Sequence, residues 1–227
     1  MATNHENRAQ KRLLLFLAAF PIVLAMLAAS ASLQSGEGQR RPLDLPSGGK
    51  GDVDTDGVPD STPDQVQFYG QSFEGDSFVW CLDRSSSMAG SRFDQLKEEV
   101  LLAVISLSSQ SRFDLVAFST GHEVWAPRLR RATPQNRQSA MGWIQNLQPW
   151  GLTCLGEAVV ESLEILTASP DRHRNLILVG DGMPYCGAGG PGLEETQDYI
   201  LSANWQMIPI STIFLGDQPL GEQFMRT

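Results

Sequence analysis

The feature that most constrains the fold of this 227-residue chain is a nearly continuous apolar run at residues 77–82, which ends at Asp83. A short run of this kind is typical of a central strand in a parallel sheet, because such a strand is covered on both faces. Similar runs predict further strands at residues 113–118, 175–179 and 207–215, and a short edge strand is predicted at residues 122–125. The pattern therefore indicates a sheet with both faces buried.

Between these strands, apolar residues recur at the three- and four-residue spacing of an amphipathic helix. This spacing follows Ser91 and Asp94, which form a capping-box-like start, and it predicts further helices at residues 134–148, 155–166 and 194–203. Strands that alternate with crossover helices predict an α/β fold with a doubly wound, mostly parallel sheet.

Charge and cysteine content exclude several classes of protein. The chain has 26 acidic and 17 basic residues, with a formal net charge of −9, so its surface should repel nucleic acid. Its 3 cysteines form no CxxC pair or Cys/His cluster, and no zinc site or disulfide-rich scaffold is expected.

The N-terminal segment, residues 1–31, has the pattern of an export signal. Lys11 and Arg12 precede an uncharged, mostly apolar stretch at residues 13–29, and small residues follow at positions 29–31. The stretch is also long enough to stay uncleaved as a membrane anchor. The alternatives are a protein anchored in the membrane and facing outward, or one secreted or periplasmic after cleavage.

Residues 32–74 are rich in Gly, Ser, Pro, Asp and Gln, a composition that predicts a flexible, disordered acidic linker. Within it, acids recur at alternate positions around a glycine, which is how a short loop wraps oxygens around Ca²⁺. This loop, residues 52–64, resembles one calcium loop of a thrombospondin type 3 repeat. Its candidate ligands are Asp52, Asp54, Asp56, Asp60 and Asp64, and a solvated acidic linker is the alternative.

Polar motifs follow the predicted strands where each strand ends or a helix begins. They are an Asp-x-Ser-x-Ser motif, a Gly-x-Thr motif and an Asp-Gly motif, which contribute Asp83, Ser85, Ser87, Thr153 and Asp181. Sites in open α/β sheets form outside the carboxyl ends of the strands, so these side chains are expected to converge. Three hydroxyls and two carboxylates suit Mg²⁺ or Mn²⁺.

From about residue 75 to residue 227 the chain resembles a von Willebrand factor type A domain with its metal-ion-dependent adhesion site, and this implies a Rossmann-like fold. The resemblance implies that Ser85 and Ser87 bind the metal directly, that Thr153 binds it in some states, and that Asp83 and Asp181 act mainly through water. The family normally has a further helix and edge strand after residue 215, so the domain is expected to be truncated at its C-terminal edge.

An insertion at residues 185–192 stands beside this predicted site and contains Gly187, Gly189 and Gly192 at dinucleotide-fingerprint spacing. The fingerprint should begin directly after a strand, whereas here Pro191 lies inside it and other residues intervene, so a flexible lip of the site is the interpretation. The predicted fold also places Cys154 and Cys186 on loops around the same site, where they pair or remain free thiols.

The expected function is that of a non-enzymatic, exported or membrane-anchored module. In this hypothesis it binds a divalent metal and recognises an Asp or Glu of a partner protein, with the N-terminal segment contacting the membrane if it stays uncleaved. The alternatives are a metal-dependent enzyme or chelatase-like subunit that uses the same site, and a structural domain whose site is degenerate.

Overall fold

A computed structural model describes residues 63–226. The strands of this part are β1 Asp64–Phe68, β2 Gln71–Gly75, β3 Ser77–Asp83, β4 Arg112–Phe118, β5 His122–Val124, β6 Arg130–Arg131, β7 Arg174–Gly180 and β8 Ile210–Phe214. The helices are α1 Ser91–Ser106, α2 Pro134–Asn146, α3 Leu155–Thr167, α4 Leu193–Ala203 and α5 Pro219–Met225.

The main sheet has the strand order β5-β4-β3-β7-β8, and β6 also pairs with β4. β3 lies parallel to β4 and β7, and β7 lies parallel to β8, whereas β5 and β6 run antiparallel to β4. The chain winds from β3 outward to β4 and then returns to β7 on the other side. The predicted α/β class and mostly parallel sheet are therefore confirmed.

Both faces of the sheet are buried, as the apolar run of β3 predicts. Phe78 and Trp80 pack on the side of α1 and α2, while Val79 and Cys81 pack on the side of α3. All seven residues of β3 are buried. Because alternate strand residues point to opposite faces, a strand in this position has to be apolar at nearly every residue.

A hairpin of β1 and β2 occupies the end of the region that the composition assigns to a linker. The linker prediction is wrong for residues 64–74, because Val66, Phe68 and Phe73 are buried in the same cluster as α1. Each such side chain contributes roughly 1.5–3 kcal/mol when it is fully buried. Three of them order a segment whose other residues are polar.

Smaller differences concern element ends. The last strand begins at Ile210 instead of residue 207, and Met207 before it is exposed and has a positive φ of 53°. β8 lies at one end of the strand order, and four of its five residues are only partly buried.

Residues 1–62, which hold the predicted export signal and most of the calcium loop, lie outside the described part. Within residues 63–226, no helix has the length and apolar character needed to cross a membrane.

Candidate metal centre

Asp83 is the last residue of β3, and the chain turns sharply after it. Its Oδ1 accepts a hydrogen bond of 2.7 Å from the Ser85 amide, and a single 3₁₀ turn at Ser86–Met88 follows. The Arg84 amide meanwhile donates to the Phe118 carbonyl at the end of the neighbouring β4, at 2.8 Å. The turn therefore places the serines directly above the carboxyl ends of the central strands.

The two serine hydroxyls and the second carboxylate form a continuous chain of contacts. Ser85 Oγ and Ser87 Oγ are 3.0 Å apart, and Ser87 Oγ donates to Asp181 Oδ1 at 2.9 Å. Asp181 follows β7, the strand beside β3, and is almost fully buried. The parallel pairing of β3 with β7 thus joins groups that are separated by 94 positions in the sequence.

One oxygen of this cluster has no partner. Asp83 is fully buried, and its Oδ2 accepts no hydrogen bond in the part of the chain that the structure describes. Burial raises the pKa of the Asp83 carboxyl to about 6, and the Asp181 charge adds to the rise. Hydrogen bonds from Ser85 and the nearby Asp181 amide act in the opposite direction and lower the pKa. A buried charge without a partner is costly, so a cation or its bound water would stabilise this group.

The space around that oxygen is kept by Gly180, the residue before Asp181. A Cβ built on Gly180 would lie 3.1 Å from Asp83 Oδ2, tighter than an ordinary contact. A larger residue at this position would therefore crowd the oxygen. The hard oxygen donors and the buried unpartnered carboxylate are compatible with a small divalent cation such as Mg²⁺.

Thr153 joins this region through its backbone. Its amide donates to the Tyr185 carbonyl at 3.0 Å, and the Tyr185 amide returns a bond of 2.9 Å. Gly151, two residues earlier, accepts from the Ser86 amide at 3.1 Å and has a positive φ of 77°, where a Cβ would lie 2.6 Å from Thr120 Oγ1. The glycine lets the loop of Thr153 approach the serine turn. Hydrogen bonds thus join Asp83, Ser85, Ser87 and Asp181, whereas Thr153 is brought toward them by the backbone of its loop.

The sequence leaves open whether Cys154 and Cys186 pair, and the structure shows that they do. Cys154 and Cys186 form a disulfide, with Cα atoms 4.9 Å apart. The bridge lies next to the Thr153–Tyr185 pairing and ties the same two loops together. Cys81, in β3, is a buried free thiol, and burial raises its pKa to about 12.

Arg92 is a member of the site that the sequence does not reveal. Its Nη1 forms an ion pair with Asp181 Oδ2 and also donates to the Ser87 carbonyl at 3.3 Å. Arg92 lies in the first turn of α1, and the pattern there predicts only a solvated helix face. Its place seven residues after Ser85 carries no recognisable signal, because the contact depends on the turn geometry between them.

The predicted calcium loop can be followed at one residue only. Asp64 is buried in β1, where its Oδ2 accepts from the Ser108 amide and from Ser111 Oγ, both at 2.6 Å. We therefore assign Asp64 a structural role in holding the hairpin. Asp52, Asp54, Asp56 and Asp60 lie outside the described residues. Across residues 63–226 no group of three or more His, Cys, Asp and Glu is placed to hold a metal.

Comparisons of the sequence and of the fold both show a similarity to the von Willebrand factor type A domain. A sequence model of the von Willebrand factor type A domain matches residues 78–183. Human inter-alpha-trypsin inhibitor heavy chain H4 is 29% identical over 120 residues, which is 50% of this chain but 13% of that protein. The chain therefore corresponds to a small part of such relatives.

Two solved structures share the fold. The von Willebrand factor type A protein from Catenulispora acidiphila is 22% identical with a TM-score of 0.50, covering 67% of this chain and 41% of the other. The PilB minor pilin from Streptococcus sanguinis is 15% identical with a TM-score of 0.54, covering 70% of this chain and 55% of the other. At these identities the likeness concerns the arrangement of strands and helices.

Proposed function

Because this chain contains a von Willebrand factor type A domain, we propose that it is a metal-dependent protein-binding module and not an enzyme. The observation that carries the proposal is Asp83 Oδ2, a buried carboxylate oxygen without a partner beside two hydroxyls and a second carboxylate. Within residues 63–226, Asp114 Oδ2 is the other buried carboxylate oxygen without a partner, and it lies within β4 with no pair of serine hydroxyls beside it. A cation beside Asp83 Oδ2 would remove the cost of burying it.

In this proposal Ser85, Ser87 and Thr153 supply hydroxyl ligands, and Asp83 and Asp181 hold the ion mainly through water. Mg²⁺ or Mn²⁺ suits such a set of hard oxygen donors. The ion would supply a positive charge that is only partly neutralised, because the direct ligands are uncharged. Ser85 and Ser87 are already oriented by their mutual contact and by the Ser85–Asp83 bond.

The partner group that fits such a site is a carboxylate. An Asp or Glu side chain of another protein offers a hard anionic oxygen, and it can enter from the exposed end of the sheet. Ser87 is exposed, whereas Asp83 and Ser85 are buried, so the site opens on the Ser87 side. We accordingly propose a protein partner that presents an acidic residue to the metal.

The N-terminal residues extend the proposal beyond the domain. Residues 1–31 would export the protein or anchor it in the membrane with the domain facing outward, and the acidic residues 52–60 would remain a candidate calcium loop. Packing of the hairpin with the domain core supports a domain boundary at the start of β1, at Asp64.

The test compares two buried aspartates. At a fixed pH, Mg²⁺ at a hundredfold excess over its dissociation constant should stabilise the wild-type protein by about 2.7 kcal/mol relative to EDTA. Asp83→Asn should lose this increment, because the substitution keeps the shape and an acceptor for Ser85 but removes the charge. The increment is measured by thermal or denaturant unfolding.

Asp114→Asn is the matched control. Asp114 is also fully buried and also has an unpartnered Oδ2, but it lies within β4 away from the serine turn. This variant should keep the Mg²⁺ increment. Stabilisation that is absent in the wild type, or equal in Asp83→Asn and the wild type, would refute the metal site. Capture of a partner that is unchanged by EDTA would refute the metal-dependent contact.

A further inference from the structure

Trp150 is an exposed aromatic residue that is fixed beside the serine turn. Its side chain is about half exposed, and its amide donates to the Arg84 carbonyl at 2.7 Å. The Arg84 guanidinium lies over the indole ring, 5.4 Å from the ring centre. Since Arg84 stands between Asp83 and Ser85, the indole is held next to the candidate metal ligands.

Tyr185 is a second exposed aromatic residue, and its backbone pairs with Thr153. It is 58% exposed, and its backbone makes both hydrogen bonds of the pairing with Thr153. The following residue, Cys186, is joined to Cys154 by the disulfide. The position of this aromatic residue is therefore set by two hydrogen bonds and a covalent link, while more than half of its surface faces solvent.

The combination of exposure and fixed position has an energetic consequence for binding. A large aromatic side chain exposed to water gains free energy when a partner covers it. A backbone that is already ordered loses little entropy on association, so more of that gain remains as affinity. Tyr and Trp are accordingly enriched among the residues that dominate binding energy at interfaces.

Charge gives a reason why an apolar contact is needed here. The chain carries a formal net charge of −9, which opposes the approach of an acidic partner. A metal ion attracts the carboxylate only locally, because salt screens charges beyond about 8–10 Å. Burial of apolar surface next to the carboxylate adds affinity that does not depend on charge.

We propose that Trp150 and Tyr185, the aromatic rim, receive a large apolar side chain that neighbours the acidic residue of the partner. This inference rests on the proposed function, since the acidic residue is the group bound at the metal. The partner segment it defines is an exposed stretch in which an Asp or Glu is flanked by Phe, Leu or a residue of similar size.

The experiment uses labelled synthetic peptides as probes and the full chain in detergent. Each peptide has a central Asp with either Phe or Ser on both sides, and matched peptides carry Asn in place of Asp. Binding is measured by fluorescence anisotropy in Mg²⁺ and in EDTA. The Phe-flanked Asp peptide should bind about ten- to thirtyfold more tightly than the Ser-flanked one in Mg²⁺.

Trp150→Ala and Tyr185→Ala should each remove most of that difference. The hydrogen bonds that hold the two loops are made by the backbone of Trp150 and Tyr185, and an alanine at either position retains them. Trp205→Ala and Tyr199→Ala are the matched controls, because both residues are also exposed. Trp205 lies two residues after the end of α4, and Tyr199 lies within α4. Both controls should bind the peptides as the wild type does.

The outcomes separate the rim from the metal site. Mg²⁺-dependent binding of both Asp peptides with equal affinity would overturn the aromatic rim and leave the proposed function standing, as would equal losses in the rim variants and their controls. Asp peptides that bind no better than Asn peptides, or that bind equally in EDTA, would overturn the proposed function. Absence of binding by every peptide would overturn both.

Discussion

The two ends of the main sheet carry the same residue types arranged to different effect. At the amino end, Asp171 accepts from Ser77 Oγ at 2.6 Å and from Arg112 Nη1 at 2.6 and 2.5 Å. At the carboxyl end, Asp181 accepts from Ser87 and Arg92 in a similar way. Each end thus combines an aspartate with a serine and an arginine.

The difference lies in the second aspartate at each end. Asp64, at the amino end, accepts two bonds through Oδ2 and has no unpartnered buried oxygen. Asp83, at the carboxyl end, is buried equally well but its Oδ2 has no partner in the described part. The two hydrogen bonds that Asp64 accepts stabilise the fold, whereas a buried carboxylate oxygen without a partner costs free energy unless water or a ligand pairs with it.

The largest expected effect concerns the covalent link, which only the carboxyl end has among the described residues. Replacing both Cys154 and Cys186 by Ser should lower the free energy of unfolding by about 3–4 kcal/mol, because the unfolded chain gains the freedom of a 32-residue loop. Denaturant unfolding measures the change. A reducing agent should destabilise the wild type similarly and leave the double variant unaffected. A loss below about 1 kcal/mol would mean that the loops are held by their other bonds.

Removal of the Asp64 carboxylate, which accepts two hydrogen bonds, should lower stability without changing the response to Mg²⁺. Asp64→Ala leaves the Ser108 amide and the Ser111 hydroxyl without their acceptor, at a cost of about 1–3 kcal/mol in the free energy of unfolding. The stabilisation by Mg²⁺ should remain. Asp198→Ala, at an exposed position of α4, is the control and should change stability by less than about 0.5 kcal/mol. If Asp64→Ala abolished the Mg²⁺ response, the functional distinction between the two ends would fail.

The last effect is a gradual pH dependence set by Asp114, which lies in β4 between the two ends. Burial raises its pKa to about 7, against hydrogen bonds from the Leu115 and Ala126 amides that lower it. The folded state then binds more protons than the unfolded state between the unfolded value of 3.8 and about 7. The contribution of Asp114 to stability therefore falls as the pH rises through this window, by up to about 1.4 kcal/mol per unit.

Comparison with Asp114→Asn isolates this contribution from the other carboxylates, many of which act in the opposite direction. The difference in unfolding free energy between wild type and variant is measured in EDTA at several pH values. The wild type should lose stability relative to the variant as the pH rises toward about 7, and the difference should become constant above that pH. A difference that does not change with pH would show that Asp114 titrates at its ordinary value.

The strands that could be predicted were those whose pattern is unambiguous. β3 and β4 are apolar on both faces, and such runs have few alternatives to a central strand. The hairpin was missed because Val66 and Phe68 alternate with glutamines in a polar region, and two five-residue strands give a weak signal. What orders the hairpin is its packing against α1, which the local sequence does not contain.

Some residues of the candidate site could be predicted from the sequence, and others could not. The Asp-x-Ser-x-Ser motif, the threonine and the Asp-Gly pair could be identified because each follows a predicted strand or precedes a predicted helix. Arg92 could not, since an arginine in the first turn of a helix is ordinary. The aromatic residues near the site were also unrecognised, because Trp150 and Tyr185 lie in loops where no periodicity applies.

By itself the sequence determined the α/β class, the central strands and the residue types available at their ends, because burial and hydrogen bonding impose a local pattern on each element. Only the tertiary structure decided that Asp83 Oδ2 is left without a partner, that Arg92 pairs with Asp181 and that Cys154 bonds to Cys186. The last two contacts join positions 89 and 32 residues apart. They depend on the pairing of β3 with β7 and on loop geometry, which no local preference specifies.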